Sequence, residues 1–257
     1  MDERVSYGSY LRVSDLLELQ NPLSSPAHHD ELLFIVIHQV YELWFKQLLH
    51  ELHAIMAAID RDDLLRVTKY FRRIHTIQRL LEAQVDILET MSPQEFNAFR
   101  DNLNPASGFQ SIQFRELEFM CGVRRLETLA HIEMTPDERA RLEHHLDEPS
   151  LYERVKALLG RRGFAVATSE EIVESFRRIY MGEDRYYDLY LLLEELIELD
   201  ERFLLWRSRH VRMVERMIGF KKGTGGSSGA DFLTRTLSYK FFPELWEVRT
   251  HLGASAG

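Results

Sequence analysis

"DELLFIVIHQVYELWFKQLLHELHAIMAAI", residues 30 to 59, carries apolar side chains three and four positions apart along its whole length and contains neither glycine nor proline. That spacing is the period of a helix with one face turned to a core, whereas a half-buried strand would alternate residue by residue. At 1.5 Å per residue such a helix is about 45 Å long. Helices of this length pack side by side, so the stretch points to a bundle.

The same period recurs at 62–90, 109–129 and 184–218, with shorter helices expected near 14–20, 93–101, 136–147, 150–159, 169–180, 229–239 and 243–251. No alternating stretch bounded by turn residues stands out. "SPQE" at 92–95 and "TPDE" at 135–138 each place a capping hydroxyl, a proline at the first helical position and a glutamate three residues on. The expected fold is all-α, one helical domain over residues 1–257, with no repeat or proline-rich linker to divide it.

Composition narrows function further. The 257 residues are 45% hydrophobic, enough for one sizeable core. A formal net charge of −9 argues against a surface built to neutralise nucleic-acid phosphates or to lie on anionic lipid. Small molecules or proteins are the expected partners, with no nucleic acid and no membrane. Cys121 is the single cysteine, which points to a reducing compartment, the cytoplasm. "MDERVSYGSYLRVSDLL" lacks the apolar core of a signal peptide, and the longest unbroken apolar run, Leu32 to Ile37, is short of a membrane span.

Eleven histidines invite a metal reading, which spacing can test. "HELH" at 50–53 lacks the one-turn separation of zinc-protease histidines, and no Glu-x-x-His pair supports a di-iron bundle. Asp30 in "HHDE" falls at a helix start and suits a cap. His144 and His145 read as exposed helix surface. His38 lies one turn after Phe34 on a strongly apolar face, where an ordinary hydrogen-bonded core histidine is the simpler account. His210 follows Trp206 by one turn, among Arg207, Arg209 and Arg212, with Met213, Val214 and Met217 along the stripe. Core packing explains His210 most simply; an axial haem ligand with arginines facing the propionates is the alternative.

Phe96 and Arg100 are again one turn apart, and Arg100 either pairs with Asp101 or Glu95 at the surface or clamps a ligand carboxylate. "NPASG" at 104–108 supplies a turn of small residues that a ligand can approach. "KKGTGGSSG" at 221–229 is no phosphate loop, because its lysines precede the glycines and no strand feeds it. It reads as a loop between helices, of the kind that closes over a substrate.

Taken together, "YGSYL" (7–11), "HHDELLFIVIHQVYELWFKQ" (28–47), "FRDNLNPASGFQSIQFRELEF" (99–119), "WRSRHVRMVERMIGFKKGTGGSSG" (206–229) and "FFPELWEVRTHL" (241–252) resemble the tryptophan 2,3-dioxygenase family. Its members are all-α haem enzymes that open the indole C2–C3 bond of L-tryptophan with O2 to give N-formylkynurenine. The resemblance implies haem b, ferrous in the active form, with His210 as the axial iron ligand and His38 as the distal residue that accepts the indole N–H.

By the same resemblance Phe34 and Phe96 wall the indole pocket, Arg100 grips the substrate carboxylate and Thr224 meets its ammonium and carboxylate. Ser107, Gly108 and Trp206 lie beside the haem, and residues 219–230 form the substrate-closing loop. Tyr7, Tyr10 and Leu11, within an N-terminal segment of about 20 residues, reach into a neighbouring subunit of a homotetramer. Two departures stand out: the region from about 160 to 179 is shortened, and Ile37 is apolar where a polar residue is expected. The scaffold also suits mono-oxygenation of a substituted tryptophan in secondary metabolism, or a non-enzymatic helical haem sensor. Product mass separates the first two, and lack of turnover marks the third.

Overall fold

Local signals set the limits of the helices. The computed structural model describes residues 4–129, 132–225 and 229–253. Its α-helices are α1 (Tyr7–Leu11), α2 (Val13–Leu17), α3 (His29–Asp60), α4 (Leu64–Leu88), α5 (Pro93–Arg100) and α6 (Ile112–Cys121). There follow α7 (Pro136–Asp147), α8 (Leu151–Arg161), α9 (Ser169–Met181), α10 (Tyr187–Ile218), α11 (Ala230–Thr236) and α12 (Pro243–Glu247). No strand occurs among the described residues.

Ser92 with Glu95 and Thr135 with Glu138 form the reciprocal caps that their spacing predicts. Ser150 with Glu153 and Thr168 with Glu171 do the same for α8 and α9. Each box satisfies two amides that a helix start would leave bare.

Four expectations need correction. The span 109–129 is not one helix: Ser111 caps α6, and Gly122 ends it at φ 112, a left-handed conformation that a side chain would disfavour. Asp30 does not cap α3; His28 holds the cap position, and Asp30 sits in the first turn, where its charge suits the helix dipole. His145 is buried, on a helix, α7, that packs against α6. The N-terminal segment holds a turn, α1, that the 14–20 reading missed.

The architecture is built on α4, which packs against both α3 and α10. Val67, Phe71 and Ile74 are completely shut from solvent along it. Several polar groups inside this layer are tied to protein partners. His75 Nε2 lies 2.7 Å from Glu195 Oε2 and its Nδ1 3.1 Å from Gln78 Oε1, while Gln78 donates to the Leu199 carbonyl at 3.0 Å. Asp200 Oδ2 accepts from the amides of Phe241 and Phe242 and from Trp246 Nε1, which anchors the C-terminal segment. A smaller core of Ile112, Phe119, Ile132 and Leu142 joins α6 to α7. By length and mean hydropathy over a wider window α3 could also span a membrane, which the length of its longest apolar run did not indicate.

Candidate functional site

A cavity of about 510 Å³ lies between the first half of α3, α5, the 103–111 turn, the last turns of α10 and residues 223–224 and 229–233. A lobe of about 120 Å³ adjoins it and shares His38, Glu42, Phe109 and His210. The larger volume is that of a small-molecule site. The walls are mostly apolar, with Leu88, Met91, Met213 and Met217 among them.

His38 Nδ1 is 2.7 Å from the carbonyl of Phe34, one turn earlier. A carbonyl can only accept, so Nδ1 carries the proton and Nε2 presents a lone pair. Burial pushes the His38 pKa down, against the pull of the Phe34 carbonyl and the Glu42 carboxylate, so the ring is neutral. Phe34 stands 4.1 Å from the His38 ring and 5.8 Å from Phe96, forming one aromatic wall.

His210 faces the same space from α10. Burial, reinforced by His38, lowers its pKa to about 4, so it too is neutral. Trp206 packs flat against it at 5.7 Å and 13°, and lines the smaller lobe. No hydrogen bond to the His210 ring occurs among the described residues, which leaves a neutral imidazole with a free lone pair turned to the chamber. That is the protonation state a transition metal requires.

Arg100 does not pair with Asp101 or Glu95. Glu95 is engaged at the Ser92 cap, and the Arg100 guanidinium donates instead to the backbone carbonyl of Lys222. Among the described residues it has no carboxylate partner, and it lines the larger lobe. Thr224 donates to the Ala106 carbonyl at 2.6 Å, pinning the glycine-rich segment to the 104–108 turn. Close approach explains two of its glycines. A Cβ on Gly225 would stand 2.7 Å from Ser107 Cβ, and one on Gly229, where φ is 70, would collide with the Lys221 carbonyl. Residues 226–228 of the expected closing loop lie outside the described residues.

The arginines beside His210 divide. Arg209 pairs with Asp86 and Arg212 with Glu215 on the outside. Arg207 turns inward and reaches Glu118 at 2.9 Å, which also holds Arg115 at 2.7 Å. All three line the smaller lobe. Sequence reading missed Arg115, Glu118, Phe109 and Phe232. Local spacing does not reveal them, because Arg207 meets Glu118 across 89 positions and Phe109 meets Phe232 from a still more distant part of the chain. It also missed Glu42, which the one-turn rule from His38 could have found.

The chamber therefore gathers Phe34, His38, Phe96, Arg100, Ser107, Gly108, His210 and Thr224, with Trp206 in the adjoining lobe. It does not gather Tyr7, Tyr10 or Leu11. Those side chains are exposed on α1, Tyr7 and Tyr10 at 80% and 77%, and line neither lobe.

Comparison with known proteins matches this arrangement. A family model described as tryptophan 2,3-dioxygenase covers residues 1–178 and 167–252. The chain is an all-helical oxidoreductase of the dioxygenase class. Tryptophan 2,3-dioxygenase of Xanthomonas oryzae pv. oryzae is 44% identical over 269 residues, which is 100% of this chain and 91% of that protein. The enzyme of the same name from a Nocardioides species is 48% identical over 254 residues, 97% and 95% of the two chains. The chain belongs to the tryptophan 2,3-dioxygenase family. The family match breaks into two pieces that overlap at 167–178, inside the region where sequence reading finds a shortening.

Proposed function

We propose that this protein cleaves the indole C2–C3 bond of L-tryptophan with O2, both oxygen atoms entering N-formylkynurenine, and that haem b is its cofactor. The observation that carries the reading is the pairing of two neutral imidazoles, His38 and His210, in one chamber with a cation that lacks a carboxylate partner among the described residues, Arg100.

The residues present fit a haem. The neutral ring of His210, with no hydrogen-bond partner among the described residues and with Trp206 packed against it, would hold the iron, and the buried pair Arg115 and Arg207 would meet the acidic groups of the haem. Haem, when bound, supplies the oxygen activation that side chains cannot. The protein supplies binding, orientation and exclusion of water. His38 Nε2 is an acceptor for an indole N–H, and the Phe34 carbonyl holds that tautomer. Burial weakens the ring as a base, which favours positioning of the substrate over removal of its proton.

Phe34 and Phe96 provide apolar area for the indole, and Arg100 offers a bidentate clamp for the carboxylate once Lys222 releases it. Thr224, on the segment that covers the chamber, reaches the same end of the amino acid. Fixing both ends would convert a flexible zwitterion into one pose within the chamber. Tyr7, Tyr10 and Leu11 complete the site of a neighbouring subunit in a homotetramer. One domain spans residues 1–257, and the cytoplasm is its compartment.

The test is turnover. Reduced, haem-loaded protein mixed with L-tryptophan in air gives the absorbance of N-formylkynurenine and a product heavier by two oxygen atoms. A product heavier by one oxygen replaces this reading with mono-oxygenation, and absence of turnover replaces it with haem sensing.

A further inference from the structure

Glu42 stands one helical turn beyond His38 and lines both lobes where they meet. Gln113, at the start of α6, donates at 2.8 Å to the Glu42 side-chain Oε2 and at 2.8 Å to the Glu42 backbone carbonyl. That double contact clips the carboxylate against its own helix and removes its rotational freedom. No arginine or lysine pairs with it among the described residues, whereas Glu118, the other acid of the smaller lobe, holds two arginines. Glu42 is also the sole acidic side chain among the described residues that line the larger lobe.

Glu42 is half-buried, and its carboxylate is fixed in the wall by an amide and not by an ion pair among the described residues. The clip explains its orientation and leaves its charge unused. We infer that Glu42 is a positioning residue for charge: through its uncompensated carboxylate it sets the ferric-to-ferrous balance of the haem proposed for this chamber. This rests on the haem reading above. Reduction adds one electron to the iron, and a fixed negative charge nearby opposes that addition by Coulomb repulsion.

Glu42→Gln is the discriminating variant. The glutamine carbonyl still accepts from Gln113, so the clip between α3 and α6 survives and the charge alone is lost. The measurement is spectroelectrochemical titration of the haem-loaded protein, wild type and variant, with haem content and optical bands recorded first. Glu42→Gln is expected to retain wild-type haem content and bands, and to shift the midpoint potential upward. At the wild-type midpoint its ferrous-to-ferric ratio rises by on the order of tenfold.

If Glu42→Gln is not recovered folded, Glu42→Asp and Glu42→Asn repeat the comparison with side chains of equal size that differ in charge, and the Asn variant alone moves upward. An unchanged potential in a normally loaded Glu42→Gln, or equal potentials in the Asp and Asn pair, overturns the role of Glu42. A wild-type protein that takes up no haem overturns the site reading beneath it.

Discussion

His75 and His210 both sit inside the bundle on long helices, and the fold treats them differently. His75, between α4 and α10, has a protein oxygen within 3.1 Å of each ring nitrogen. His210, in the C-terminal part of α10, has no hydrogen-bond partner for its ring among the described residues and faces open space. The same contrast holds around them. Gln78 and Asp200 in the packed layer are engaged by backbone and side-chain groups, while Arg100 and Glu42 in the chamber wall lack ions of opposite sign among the described residues. A ring without a hydrogen bond, an arginine held only by a backbone carbonyl and a carboxylate held only by an amide around one cavity leave a lone pair and two charges for something else to meet.

The contrast can be broken at several points. Phe71 is fully buried in the packed layer, so Phe71→Ala is expected to cost about 3–5 kcal/mol of folding stability in urea titration. Haem content and bands of the surviving folded protein should not change. A changed spectrum would mean that layer and chamber are not separate. Arg100→Ala acts the other way: tryptophan affinity falls by on the order of 2–5 kcal/mol while stability holds. Unchanged affinity by calorimetry rejects the clamp.

A third test uses pH. Burial, and then His53, His144 and two arginines, lower His145 from an ordinary 6.5 to about 4, so it folds neutral. Because its folded pKa lies below its unfolded one, its contribution to stability is intact above about pH 6.5 and declines as pH falls toward 4. His145→Gln should flatten the fall of the urea midpoint across that window, and an identical pH profile rejects the assignment. The smallest effect is expected at Thr224, whose hydroxyl makes one hydrogen bond to Ala106. Thr224→Val should weaken tryptophan binding by about 1 kcal/mol, seen as a higher KM, and an unchanged KM separates this hydroxyl from the substrate.

Sequence made one side of this comparison legible. Helical spacing alone put Phe34 with His38, Trp206 with His210 and Phe96 with Arg100, because side chains one turn apart share a face. The structure keeps the contacts of Phe34 with His38 and of Trp206 with His210, and sets Phe96 and Arg100 in the wall of the same chamber. What spacing cannot carry is which polar group answers which. Glu195 meets His75 across 120 positions and Arg207 meets Glu118 across 89, so whether a histidine is satisfied or waiting is a tertiary fact. The supposed surface partners of Arg100 failed for the same reason, since α5 turns Glu95 to its own cap and Arg100 to the distant carbonyl of Lys222. Gly122 shows the converse: a single left-handed residue ended a helix that periodicity carried on to Leu129.

The free ring of His210 is the point on which the chamber's proposed chemistry turns. Apo-protein loaded with haem, compared for wild type, His210→Ala and His75→Ala by haem stoichiometry and optical spectrum, tests it most directly. Wild type and a folded His75→Ala are expected to bind one haem with the same bands. His210→Ala should lose the bands or the haem, and added imidazole should restore them by filling the space left behind. Wild-type haem content and bands in His210→Ala without imidazole would contradict the account.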